Sequence, residues 1–546
     1  MYIVPNSKLW ILKGVPLDTT YEHTILFPSP SIQTSYFTSK AKYQFQAQTY
    51  QRLNRGRMRV QQTADNLYDC NYLMFQNSAY GQKWFYAFIK TIEYVNDITS
   101  EIEYEIDVLQ TWHFNYNLER CYIERQHSLQ DTIGSNILPE PVELGEYVFN
   151  KTDNASKYEP IVTMNDLKFV IAVANVTDQT SGVSAHIYDS ILQGCTLYAF
   201  KPTELQDLNE FLNTFVTGGH PDSIILIYVV PAILLPDASV SAETFEITDG
   251  TTGFINTYLK TALTGTEQLN GYTPKNKKLY TYPYNFYNVD DSNGNSLSLR
   301  YEFFDNNTPA VQIYGTITNP VLITLRPVNY KGIATGSVLG GYDTLNTESL
   351  QLSGYPQCSW VNDAYQAYVA QNNIPNFLNV IAPLAAGAIT GNAFTLGTGI
   401  YSVISALRET YSASIKADVC RGSANNGGTN CAHHKQTFYG GRMSVTADYA
   451  RMIDDFFSRY GYAYKGIAIP MRNARPYWTY IKTANCTITA SSTNGGLPCD
   501  DEKKICEIYD KGITWWRCVE ENNTLVAYVG HYEKDNSPTP PSTPSS

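Results

Sequence analysis

Between Asp363 and Arg408 the chain carries no charged side chain. The run from Ala364 to Leu407 is rich in Ala and Gly and contains "NFLNVIAPLAAGAITGNAFTLGTGIYSVISAL" (376–407). A run of this kind cannot lie open to water. It has to be covered by the chain's own core, by another subunit or by lipid. Its apolar surface comes from Ile374, Phe377, Leu378, Val380, Ile381, Leu384, Ile389, Phe394, Leu396, Ile400, Val403, Ile404 and Leu407. Each such residue gains roughly 0.3 to 0.6 kcal/mol on entering a bilayer, so a dozen give about 5 kcal/mol per copy. Asn376, Asn379 and Asn392 subtract from that sum. One copy is a marginal membrane segment, whereas a ring of copies is not.

Pro375, Pro383, Gly391, Gly397 and Gly399 break the run into two halves. Each half has roughly 15 residues and would be about 22 Å long as a helix. A relaxed crossing needs about 20 residues. Gly387 and Gly391 have the small-xxx-small spacing that lets helices approach closely. The run therefore reads either as a hairpin that inserts conditionally or as a buried helical hairpin of an ordinary core.

The surroundings narrow the class. Charged residues make up 16% of the 546, against roughly 25% in an ordinary globular protein. There are 43 Tyr, more than the 39 Lys and Arg together. Tyr suits half-buried strands and subunit interfaces, which points to a β-rich protein that binds copies of itself or other proteins. A net charge of −12 excludes a protein held on nucleic acid by clustered phosphate contacts. It is compatible with one that nucleic acid passes, because an acidic wall repels phosphate within about 10 Å. "MYIVPNSKLWILKGVP" lacks a basic region followed by a long apolar core, so no export signal is expected. The ten cysteines are scattered and too sparse for a disulfide framework, and most are expected to be small buried residues.

Period-two alternation marks "SEIEYEIDVLQTW" (100–112) as a strand, with Ile102, Tyr104, Ile106 and Val108 on one face. Glu101, Glu103, Glu105 and Asp107 form an acidic row on the other, which either meets solvent or lines a channel. "KWFYAFIKTIEYV" (83–95) is its hairpin partner through the turn "NDIT". "SIILIYVVPAILLP" (223–236) reads as a fully buried strand ended by Pro231 and Pro236. Helical spacing appears at 203–216 and, most clearly, at 444–461. There Tyr449, Met452, Ile453, Phe456, Phe457 and Tyr460 share a face between a Thr446 cap and a Gly461 stop. No repeat recurs at a fixed period.

The constellations that resemble chemistry each have a plainer reading. His220, Asp222 and Ser223 lie in one turn, whereas triads assemble from distant positions. Asp291, Asn293, Asn295 and Glu302 match a calcium loop, but Ser296 stands where glycine is required and a strand follows, so a hairpin turn is expected. Cys420, Cys431, His433 and His434 lack a Cys-x-x-Cys unit. Asp454 and Asp455 are expected in solvent on the polar side of their helix. No catalytic residue, metal or cofactor is assigned, and no enzyme is expected.

Four stretches carry a resemblance: "YLMFQNSAYGQKWFYAFI" (72–89), "YEIDVLQTW" (104–112), "IERQH" (123–127) and "YARMIDDFFSRYGY…YIKT" (449–483). Together the chain resembles the tail knob proteins of small short-tailed phages of Gram-positive bacteria. The resemblance implies a mainly β protein with some α: an elongated, multi-lobed protomer of barrel- or sandwich-like domains, with an inserted apolar helical or loop hairpin. It implies a homo-oligomer, a hexamer, forming a ring or tube at the distal end of the virion tail. That tube would continue the channel of the collar or connector protein, conduct phage DNA without specific binding, and be assembled in the host cytoplasm. The apolar positions from Ile374 to Leu407 would plug the channel, then enter the host membrane and form a pore for DNA ejection. The acidic row would be a candidate lumen lining. The implied division is a tube domain at 1–125, knob lobes at 126–355, the membrane-active insertion at 356–440, a return to the tube at 441–535 and a disordered Pro/Ser tail at 536–546. A receptor-binding adhesin and a cell-wall hydrolase are the alternatives.

Overall fold

The computed structural model describes residues 6–49, 56–78, 81–150, 159–162, 166–174, 185–217, 223–250, 256–291, 293–331, 349–353, 355, 357–361, 421–425, 437–490 and 496–538. The apolar positions Ile374 to Leu407 lie outside these residues, as do His220, Asp222, Cys420, Cys431, His433, His434 and most of the Pro/Ser tail. The protein is mainly β, with several sheets and few helices. It divides into two compact units, Met1–Leu144 with Tyr272–Leu279 and Ala447–Ser546, and Gly145–Gly271 with Tyr280–Thr446.

In the first unit a six-stranded sheet runs in the order Ala41–Thr49, Asn6–Lys13, Cys70–Asn77, Trp84–Asn96, Thr99–Ile106, Arg57–Val60. Alternation sends Tyr72, Met74, Tyr86 and Phe88 to one core and Leu9, Ile11, Leu73, Ala87 and Ile102 to another. The sheet is therefore apolar on both faces. The hairpin Trp84–Asn96 / Thr99–Ile106 is antiparallel, with Glu93 opposite Glu101 and Thr91 opposite Glu103. Its second strand ends at Ile106 rather than running on to Trp112. Asp107 caps a short helix, Val108–Thr111, by accepting from the Gln110 N–H at 3.1 Å.

A second sheet pairs His23–Leu26 in parallel with Ile513–Glu521, followed by Trp478–Ala484, Cys121–Gln126 and Tyr462–Ala468. Tyrosines fill much of the interior. Tyr72, Tyr86, Tyr462 and Tyr509 are almost fully buried, and the Tyr72 and Tyr462 hydroxyls donate to Asp107 and Asp131 at 2.8 and 2.6 Å. Burial thus accounts for many tyrosines that composition alone assigns to interfaces.

The helix Ala447–Tyr460 forms as its spacing predicts, with a different inward face. Ala450, Ile453, Asp454 and Phe457 are buried, whereas Met452 and Tyr460 are exposed. Gly461 ends it at φ +64°. A Cβ there would meet the Gln126 backbone at 2.4 Å, so only glycine fits.

In the second unit a five-stranded sheet has the order Cys195–Phe200, Leu167–Ala174, Ile224–Pro231, Gln357–Val361, Arg421–Asn425. The helix Leu205–Thr217 packs Leu208 and Leu212 against Phe200 and Val229. The strand Ile224–Pro231 is not buried throughout, since Ile225 is exposed while Ile224 and the last four residues are buried, and it gives way to 3₁₀ turns after Pro231 and Pro236. The last two strands of this sheet pair antiparallel, Val361 opposite Arg421 and Gln357 opposite Asn425. They are the nearest described residues on either side of the uncharged run.

Candidate functional site

The hairpin row does not carry bare negative charge. Arg57 and Arg59, on the strand paired with Thr99–Ile106, sit opposite Glu103 and Glu101. Arg57 reaches Glu101 at 3.4 Å, Glu103 at 3.3 Å and Glu93 at 3.5 Å, and Arg59 reaches Glu101 at 3.0 Å. Glu105 is shared between Lys504 at 2.5 Å and Lys90 at 3.2 Å. These contacts, first the hydrogen bond from Arg59 and that from Lys504, hold the Glu101 and Glu105 carboxyls below their ordinary range. Four carboxylates thus face four cations, and the row is charge-balanced.

Asp107 is not part of it. Its side chain is buried, where burial pushes its carboxyl up to about 6 against the opposing Gln110 N–H and Tyr72 hydroxyl. The strand ends at Ile106 and the Val108–Thr111 helix follows, so the period-two reading fails from Asp107 on, six residues short of its predicted end at Trp112.

A second polar cluster of the first unit was not legible as such. Asp454, expected in solvent, is 1% exposed. It accepts from the Tyr272 hydroxyl at 2.7 Å, the Lys275 N–H at 2.8 Å, and the Asn276 N–H and side-chain amide at 3.0 and 2.8 Å. Its neighbour Asp455 is exposed. Asp454 thereby fastens residues 272–279 to the helix Ala447–Tyr460. Beside it, Glu140 is buried and bound by Arg125, Lys278 and the Ala463 N–H. Burial lowers Lys278 against the pull of Glu140. His127 accepts from the Tyr480 N–H at 2.8 Å and donates to the Ser458 carbonyl at 3.1 Å, and burial lowers its pKa to about 3. Every carboxylate here is occupied by a structural donor.

The other sequence candidates are structural where described. Asp291 spends its oxygens on the Asn293 and Asn295 N–H groups and the Asn295 amide, closing a turn between Asn285–Asp290 and Ser296–Leu299. Ser223 is buried. Among the described residues no helix is long and apolar enough to cross a membrane, and no group of three or more ligands is arranged for a metal ion.

Comparison with known proteins gives the family. Residues 251–537 match the C-terminal domain of tail knob protein gp9 of Bacillus phage phi29, and residues 5–117 match the caudoviral major tail protein N-terminus. Tail knob protein gp9 of Bacillus phage PZA is 27% identical, with 96% of this chain and 99% of that protein covered. Its counterpart in phage phi29 is 26% identical, over 98% and 100%. Among solved structures, the bacteriophage C1 tail knob protein gp12 matches with a TM-score of 0.62 at 13% identity, covering 94% of this chain and 96% of that one. The two share a fold.

Proposed function

The chain belongs to the tail knob family of phi29 gp9, a structural component of the phage tail, and on that premise we propose that it forms the distal tail tube through which the genome leaves, with the segment Ile374–Leu407 as a channel plug that enters the host membrane. The assembly is a homo-oligomer, a hexamer, seated on the collar or connector protein. DNA passes along its lumen without specific binding. The protein is assembled in the host cytoplasm and carries out no catalytic step.

One observation carries the reading. The strands Gln357–Val361 and Arg421–Asn425 are paired, and the uncharged run lies in the stretch of chain that connects them. A stretch so placed can exchange a protein environment for lipid without unmaking the sheet that bears it. Its apolar area, multiplied by the copies in a ring, turns a marginal insertion into a favourable one. The balanced row of Glu101, Glu103 and Glu105 suits a lumen wall. Paired charges give passing phosphates neither a strong hold nor a strong repulsion.

Dye release from liposomes tests this. The full chain, triggered by mild acid or by detergent below its micellar concentration, should release dye, and a chain lacking residues 375–407 should not. Equal release by the two rejects the pore.

A further inference from the structure

Three cysteines that the tail function does not use converge in the first unit. Cys506 and Asp510 stand one turn apart on the same face of the helix Cys499–Lys511. Asp510 accepts from the Cys486 N–H at 3.0 Å and from the Thr483 hydroxyl at 2.8 Å. The carboxylate thus fixes the turn after Trp478–Ala484 against the face that carries Cys506. Cys486 and Cys506 pack against the same core, and the Cys486 thiol interacts electrostatically with Cys506 and with Cys121, at the start of the neighbouring strand. Cys121 is buried, while Cys486 and Cys506 are half-buried at the rim of the core. All three are free thiols.

We propose that Cys486 and Cys506 are a disulfide-forming pair that locks the helix Cys499–Lys511 to the sheet once the protein meets an oxidising small-molecule disulfide. In that exchange the Cys506 thiolate attacks a sulfur of the small disulfide and expels one thiolate. Cys486 then attacks the mixed disulfide at Cys506 and expels the second. The two protein thiols lose two electrons and two protons, and the small disulfide becomes two thiols. Burial, then the neighbouring thiols and Asp510, raise the Cys486 pKa above its ordinary value. Burial likewise raises Cys506. The pair therefore stays reduced until an oxidant is supplied for long enough. The bond closes the loop between residues 486 and 506 and restricts the unfolded chain.

The test is incubation of the folded full chain with oxidised glutathione, followed by non-reducing peptide mapping, thiol titration and thermal melting. The expected result is a Cys486–Cys506 linked peptide, two thiols fewer per chain, and a melting temperature a few degrees higher that dithiothreitol reverses. The Cys506→Ser variant should show neither the thiol loss nor the rise. Mapping of the natural chain decides the matter even if that variant does not fold. No linked peptide, a Cys486–Cys121 link in its place, or a link that forms only after unfolding in urea would each overturn the proposal.

Discussion

Two antiparallel strand pairs in this chain carry opposite kinds of connection. Trp84–Asn96 and Thr99–Ile106 are joined by Asp97 and Ile98 alone, and their surface is a ladder of paired charges. Gln357–Val361 and Arg421–Asn425 are joined by residues 362–420, which include the uncharged run. Loop-closure entropy grows only with the logarithm of length, so the longer connection costs the sheet roughly 3 kcal/mol more than the two-residue one. A paired strand end can therefore bear a large apolar excursion without losing its register. The first pair presents groups that water and ions satisfy. The second bears groups that only protein or lipid can satisfy.

The largest expected effect falls on the second pair. Ile389→Lys places a charge near the middle of the run, at a cost of roughly 3 kcal/mol per copy, or about a hundredfold in the insertion equilibrium. Dye release should collapse, while the melting temperature of the folded chain stays within a degree of the natural one. A large loss of melting temperature would mean that the run packs into a permanent core.

Next comes the buried cluster of the first unit. Asp454→Ala leaves the donors of Tyr272, Lys275 and Asn276 facing a void and should cost roughly 3 to 5 kcal/mol by chemical denaturation. Dye release below the lowered melting temperature should be unchanged.

Asp107 gives a pH-dependent contrast. Its folded-state pKa is raised to about 6, above the unfolded value, so the folded chain binds the extra proton between the two. This group's contribution therefore favours folding in acid and is lost as pH rises toward 6. Asp107→Asn removes the term. Its stability relative to the natural chain should move in the variant's favour by about 2 kcal/mol between about pH 4 and about pH 7. No change in that difference would mean the carboxyl is not held in its buried cap.

The smallest effect is expected on the exposed ladder. Arg57→Ala should lower melting slightly, and the difference should shrink in high salt because water and ions screen such pairs.

Much of this was readable in the residues. Alternation located the hairpin, the 3.6-residue spacing located the helix Ala447–Tyr460, and Gly461 marked its end. The absence of charge from Ala364 to Leu407 was visible without any fold. What stayed hidden depended on distant partners. Asp454 is buried because residues 272–279 dock on it from far away in the sequence, and no local pattern announces that. The neutralised row could have been suspected, because Arg57 and Arg59 alternate with Met58 and Val60 as Glu101 and Glu103 alternate with Ile102. The pairing itself needed the register. The adjacency of Val361 and Arg421 likewise has no signature in the run between them.

The central claim is that the uncharged run leaves a protein environment for a lipid one while its flanking strands stay paired. An environment-sensitive fluorophore installed at position 389 by codon suppression, read with liposomes of brominated lipids, tests it most directly. A blue shift and quenching by bromine near the bilayer centre are expected, under the same conditions that release dye. Release with an unshifted, unquenched fluorophore would contradict the claim.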